Sequence, residues 1–323
     1  MFDWVRQLGS ALPFVSPDVT GPRTAQDVVA DHAAPAGPGG LAPEASDQLG
    51  FWEGLFMSQE ELALRATQKQ AAALLRGKFE IGDPDAAAMD PTRKLGVADN
   101  MVSKEEFDAI SRTYAQILLG QGHLKMDTTG LEGDAAAAHQ QKMLEDIAAI
   151  MQTKSGRALV SGLVAGPNDH DTVLKPRFKN GDPAQGLDTQ NGEADEKDLG
   201  GAVLKGKGSD TEITMNPGND VVVPGAIDRW LPMRSDVLLY HEMVHAMDQT
   251  SGTLNLTTVV GGHDHDVEQA EHVAVGAGEH ADRWLSENNY RAARAEIAAN
   301  SFAGVREGDD NMARRDSYRY HTQ

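Results

Sequence analysis

The pattern of apolar and polar positions predicts a mainly helical first half of the chain. Ser58 and Glu61 have the spacing of a capping box, and a stretch rich in alanine, leucine and glutamine follows them. Ser103 and Glu106 repeat that spacing before a second helical stretch. We therefore expect a helical region over residues 46–130.

The residues before this region follow a different pattern. Residues 1–12 place apolar side chains along one side of a short helix, whereas residues 13–45 are rich in proline, alanine and glycine. That composition offers too little apolar surface to pack a core and is typical of an extended, disordered linker. We therefore expect residues 1–45 to be a short helix and a linker, with a delivery signal as their role.

The second half of the chain mixes helical and strand patterns, which predicts an α+β domain over residues 131–323. Apolar side chains recur at helical spacing over residues 134–153, and a last helical region covers residues 266–299. Residues 211–215 alternate between polar and apolar, as in a half-exposed strand. The segment 180–200 is rich in glycine, aspartate and asparagine, and we expect it to be a loop.

The motif HExxH lies in an apolar, helical stretch for which Ser235 is the expected N-cap. His241 and His245 are four positions apart, so their imidazoles share one face of the helix and can bind one metal ion. Glu242 lies about 100° further round the helix, within reach of a water at the metal. This layout predicts a zinc hydrolase in which the histidines are ligands and Glu242 is the general base.

Zinc at a catalytic site normally takes three protein ligands and a water. The chain has no cysteine, so the third ligand must be a histidine or an acid. Glu271 lies on an otherwise small or apolar helix face, where an unbound carboxylate is costly, and we predict it as that ligand. Glu268 is the second choice, and His263 or His265 is a further alternative.

The charge balance narrows the range of partners. The formal net charge is -20, from 49 acidic against 29 basic residues, and so acidic a chain repels both nucleic acid and anionic lipid. No apolar run approaches the length of a membrane span. The first residues contain Asp3 and lack a continuous apolar core, so they do not have the pattern of a cleaved signal peptide.

Several segments resemble, in their order, the effector-type HExxH zinc metallopeptidases that occur among type III secretion effectors and as C-terminal toxin modules of Rhs proteins. The segments are TEITMNPG, RSDVLLYHEMVHAMD, EHVAVG and SENNYR, with RRDSY behind them. The resemblance covers residues 134–323 and does not extend to residues 1–130. This sequence departs from the family pattern at Ala270, where a second acid is expected, and by a polar insertion around residues 180–200.

The resemblance implies a zincin-like α+β metallopeptidase domain with a small sheet over the HExxH helix. By position, His241, His245 and Glu271 would hold Zn²⁺, and Glu242 would be the general base. The strand at residues 211–215 would be the sheet edge along which a substrate peptide lies.

A peptidase also needs a donor for the oxyanion that forms on the attacked carbonyl. The resemblance to the family's C-terminal arginine and tyrosine makes Arg315 and Tyr318 our candidates, with Tyr290 and Arg291 as alternatives. Asp248 is a candidate to orient a ligating histidine, although an ordinary acid on the helix surface has the same pattern.

These inferences lead to one functional hypothesis and two alternatives. We expect a zinc-dependent endopeptidase, secreted or injected as a bacterial effector or toxin, that hydrolyses a peptide bond in a target-cell protein. A secretion or contractile injection apparatus would be its delivery partner. The alternatives are a non-catalytic delivered effector or structural component that retains a zinc site, and a zinc hydrolase with a non-peptide substrate.

Overall fold

A computed structural model describes residues 57–90, 97–188, 192–197, 206–217, 234–258 and 267–300. The predicted helix and linker over residues 1–45 therefore lie outside the described residues. Contacts divide the chain into the units Met1–Leu62 and Ala63–Gln323, and the sheets and core described below belong to the second unit.

Helices and a small parallel sheet make up the described residues before residue 120. Ser58 Oγ accepts a hydrogen bond from the Glu61 N–H at 3.1 Å, and Ser103 Oγ accepts one from the Glu106 N–H at 3.1 Å, which confirms both predicted helix starts. The elements are α1 (Gln59–Leu75), a 3₁₀ turn (Arg76–Lys78), β1 (Glu80–Ile81), α2 (Pro84–Ala88), β2 (Met101–Val102) and α3 (Lys104–Leu119), with β1 parallel to β2.

After residue 120 the described chain contains runs of helices and runs of strands, as expected for an α+β fold. The helices are α4 (Gly133–Ile150), α5 (Lys154–Ala165), α6 (Ser235–Ser251), α7 (Gln269–Val275) and α8 (Glu287–Asn300). The strands are β3 (Leu124–Met126), β4 (Thr172–Pro176), β5 (Glu193–Lys197) and β6 (Asp210–Met215). Short 3₁₀ turns occur at Pro167–Asp169, Lys179–Gly181, Pro183–Gln185 and Gly278–His280.

The helix that carries HExxH, α6, differs from the prediction at its start. Its cap position is Arg234, whose side chain makes no capping bond, and Ser235 is already helical. The Ser235 hydroxyl instead donates to Asp146 Oδ1 at 3.0 Å, which joins the start of α6 to α4. At the other end, Gly252 adopts a left-handed conformation with φ 70° and terminates the helix, as glycine commonly does.

The last helical region is not continuous over residues 266–299. Gly276 has φ 73° and ends α7, and a β-carbon there would come within 2.5 Å of Ser286 Oγ. The chain therefore turns back at this glycine before α8 begins at Glu287. The turn matters because it lets α7 and α8 approach α6 separately.

The larger sheet has the strand order β3–β4–β6–β5. The first three strands are parallel to one another, and β5 is antiparallel to β6. Two expectations are corrected here. The segment 180–200 contains the strand β5, and β6 lies between β4 and β5, so among the described strands β6 is not an edge.

The core is continuous around α6, and the buried residues of this helix lie on all of its faces. Helices on both sides of residue 130 contribute to it, and the Tyr114 hydroxyl of α3 donates to the Leu144 carbonyl of α4 at 3.0 Å. This core includes residues from both of the predicted segments, 46–130 and 131–323. The boundary between the two segments remains a prediction from the sequence. None of the described helices is both long enough and apolar enough to cross a membrane.

Candidate metal and active site

Three side chains that we predicted as zinc ligands converge at the face of α6 that meets α7. His241 Nε2 lies 3.0 Å from His245 Nε2, and Glu271 Oε2 lies 3.1 Å from the former and 3.4 Å from the latter. The three ligand atoms all lie within 4.8 Å of one another. Two imidazole nitrogens and one carboxylate oxygen at this spacing fit the donor set that zinc prefers.

Backbone contacts explain how Glu271 reaches the two histidines. The Gln269 N–H donates to the Thr257 carbonyl at 2.7 Å, and the Ala270 N–H donates to the Asn255 carbonyl at 2.8 Å. These bonds tie the start of α7 to the segment that leaves α6. The Glu271 side chain is 25% exposed, so the group of three opens toward solvent on its carboxylate side.

A fourth residue, Glu287, contacts the other ring nitrogen of His241, Nδ1. Its carboxylate is fully buried, and Oε2 lies 2.9 Å from His241 Nδ1. A carboxylate at Nδ1 favours the tautomer that carries its proton there, which leaves Nε2 free to bind a metal. The other oxygen of Glu287 accepts from Arg291 Nε at 2.6 Å. Glu287 belongs to the segment SENNYR, and nothing in the neighbouring residues indicates that this acid contacts a histidine, so its role could not be predicted from the sequence.

The ionisable groups of the site perturb one another strongly. Burial lowers the pKa of His241, but hydrogen bonds to Glu271 and Glu287 outweigh that effect and raise the pKa to about 10. Burial raises the pKa of Glu271, and its bonds to His241 and His245 reverse this and bring the pKa below its usual range. The carboxylates therefore attract positive charge to the imidazoles, and a cation between them would satisfy the same attraction.

Glu242 lies beside the three ligands and is only 7% exposed. Burial raises the pKa of its carboxyl, while the neighbouring His241 and His245 act in the opposite direction. The backbone N–H of Ala194 in β5 also acts to lower the pKa of this carboxyl. A buried acid whose proton affinity is raised in this way is suited to accept and release a proton.

The family comparison adds to this geometry. The family of effector proteins named Peptidase_M91 has a sequence model that matches residues 127–318. The chain belongs to this family. Membership in Peptidase_M91 confirms the resemblance to an effector-type metallopeptidase family, and it makes the chain a peptidase-type effector. A sequence comparison with curated proteins gives no match.

Solved structures with some similarity to this Peptidase_M91 member are light chains of botulinum neurotoxin. The type C light chain, in a form with zinc removed, is 11% identical with a TM-score of 0.31, and 55% of each chain is covered. The type G light chain is 13% identical with a TM-score of 0.30 and 56% of each chain covered. The serotype HA light chain is 12% identical with a TM-score of 0.32, covering 55% of this chain and 54% of that one. The chain thus spans a little over half the length of these light chains.

Other residues considered from the sequence lie elsewhere. Arg315, Tyr318, His263 and His265 lie outside the described residues. Glu268 is exposed at the start of α7 and does not belong to the group of three ligands.

The remaining alternatives have structural contacts around α6. The Tyr290 hydroxyl donates to Asp236 Oδ2 at 2.7 Å, at the start of α6. Arg291 binds Glu287, as described above. Asp248 accepts from Arg283 Nη2 at 2.6 Å and does not contact His241 Nδ1, where Glu287 lies.

Proposed function

We propose that this Peptidase_M91 member is a zinc-dependent endopeptidase that hydrolyses a peptide bond in a target-cell protein. The observation that carries the proposal is the convergence of His241, His245 and Glu271 beside the buried carboxylate of Glu242. Burying a carboxylate is costly, and a role as general base would explain why this position keeps one.

Each of these side chains has a proposed role. His241, His245 and Glu271 hold the ion, and Glu287 keeps the His241 proton on Nδ1. The chemistry that zinc supplies when bound is Lewis acidity, which polarises a carbonyl and acidifies water. Glu242 accepts the proton of the attacking water and delivers it to the leaving amine.

The oxyanion of the attacked carbonyl needs further donors. Arg315 and Tyr318 remain our proposal for this role, on the strength of their RxxY spacing and of the resemblance to the family's C-terminal arginine and tyrosine.

The arrangement of the sheet supports an extended peptide as substrate. One side of β5 pairs with β6, and no described strand pairs with its other side. A strand of this kind can pair through its backbone with an extended peptide. Because Gly192, immediately before β5, lies against the Glu242 carboxylate, a peptide along this strand would pass close to the general base. We therefore propose β5, in place of β6, as the substrate-binding edge.

The effector family supports delivery of the protein into a target cell. We propose that it is secreted or injected as a bacterial effector or toxin, with residues 1–45 as the delivery segment. The apparatus would be a secretion or contractile injection system. The strongly acidic charge disfavours nucleic acid as a partner.

The test compares target cells that receive the wild type with cells that receive Glu242→Gln, and it identifies new protein termini in each. We expect new termini with the wild type only, while both proteins carry one zinc per chain. Glu60→Gln, at an exposed position in the first turn of α1, is the control and is expected to cleave like the wild type. Cleavage by Glu242→Gln at the wild-type rate would remove Glu242 from the mechanism. Bound zinc without new termini in any sample would favour a non-catalytic effector.

A further inference from the structure

The backbone immediately before β5 lies against the general base. Gly192 has φ +72°, and a β-carbon at this position would lie 2.8 Å from Leu238 Cγ and 3.0 Å from Glu242 Oε1. Leu238 and Glu242 are one turn apart on α6, so the glycine covers a single face of that helix. A side chain at position 192 would have to displace the leucine, the carboxylate or the start of β5.

The start of β5 is itself held in place. Ala194 pairs with Ile213 of β6, which has no exposed surface, and Ala194 packs against the core. The Glu242 carboxylate therefore has a close steric boundary at Gly192, and the pairing of β5 with β6 fixes the segment that follows this glycine.

We propose that Gly192 is a positioning residue for the general base, because its lack of a side chain lets the start of β5 hold the Glu242 carboxylate against the metal ligands. The inference rests on the proposed peptidase function. A role limited to packing on Leu238 would require only an apolar contact. The close approach to Glu242 Oε1 adds a constraint on the orientation of an acid that transfers protons.

The test compares Gly192→Ala with Gly181→Ala. Gly181 has φ +73°, and its added β-carbon would meet nothing within 4 Å, so both variants carry the strain of a left-handed alanine. Only Gly192→Ala pushes against Glu242. The assay measures kcat, KM, zinc content and Tm with a quenched-fluorescence peptide that spans the cleavage site found by the terminus analysis.

We expect Gly192→Ala to keep one zinc and its KM while kcat falls on the order of 10-fold, because the added β-carbon displaces the Glu242 carboxylate by a few tenths of an ångström and a misplacement of about 1 Å costs on the order of 100-fold. Gly181→Ala is expected to retain the wild-type kcat. A kcat for Gly192→Ala within about twofold of the control, or a loss of zinc with kcat per bound zinc unchanged, overturns the positioning role.

A second pair of variants covers the case in which Gly192→Ala does not fold. Leu238→Ala removes the closest atom, so adding Gly192→Ala to that background leaves the contact with Glu242 as the main collision. We expect kcat to fall between these two proteins with KM unchanged, and equal kcat values would overturn the inference. A zinc-loaded wild type that cleaves nothing would instead refute the proposed peptidase function, and this inference with it.

Discussion

Glu287, which contacts His241, forms a buried ion pair with Arg291. Replacing these two residues singly and together measures how much the ion pair contributes to stability. Both side chains have no exposed surface, and Glu287 Oε1 lies 2.6 Å from Arg291 Nε. Removing one partner of such a pair leaves the other charge in the interior without that counter-ion, which typically costs about 3–5 kcal/mol. We therefore expect Glu287→Gln, which strands Arg291, to lower the free energy of unfolding by about 3–5 kcal/mol. Arg291→Met is expected to cost less, because Glu287 keeps its contact with His241 Nδ1.

The double variant decides whether the ion pair is responsible. With both charges removed, neither is stranded, so the two losses should fall short of additivity by at least about 2 kcal/mol. Urea unfolding followed by circular dichroism, with a chelator present so that metal does not contribute, measures each free energy. Losses that add to within about 0.5 kcal/mol would refute this account of the pair.

A partly exposed pair provides the matched control. Lys125 and Asp171 also form a salt bridge, but their side chains are 43% and 33% exposed. Because water screens such a pair, Lys125→Met is expected to cost less than about 1 kcal/mol in the same assay. A cost equal to that of Arg291→Met would show that burial is not the source of the difference.

Three further outcomes follow from the structure. Burial raises the pKa of Asp146 to about 7, so the native state holds this proton more tightly and the free energy of unfolding should fall as pH rises from about 4 to 7. Asp146→Asn should flatten that dependence in urea titrations at pH 5 and 8, and an unchanged slope would contradict the assignment. Ser103→Ala should cost about 1 kcal/mol by urea unfolding, since it removes the cap of α3; no loss would mean that other contacts hold this end. His245→Ala should lose zinc, and metal analysis that still finds one ion per chain would exclude His245 as a ligand.

Much of the local structure could be predicted from the sequence, because the backbone conformation of a short segment depends mainly on the residues within it. The spacing of His241 and His245 determines that a helix presents both imidazoles on one face. The serines at positions 58 and 103 were correctly predicted to cap their helices. Glu271 could be singled out because an acid on an apolar helix face needs a partner.

Strand order and the turn within the last helical region were decided by packing. The strand β5 arises in a polar segment without alternation, because it pairs with β6, and that pairing moves the sheet edge away from β6. From its neighbours in sequence, Gly276 could lie within a continuous helix. In the structure Ser286 packs against this glycine and leaves no room for a side chain there. Such outcomes depend on which distant segment packs against a given residue, and the periodicity of the sequence carries no information about that contact.

The sequence by itself determined the chemistry of this site, namely two imidazoles one turn apart, an acid between them and a further acid downstream. Only the tertiary structure decided what holds these groups, with Glu287 reaching His241 across 46 residues and Gly192 lying against Glu242. The physical reason is that side-chain spacing along one helix follows from its own residues. The approach of a second element depends on the packing of the whole core.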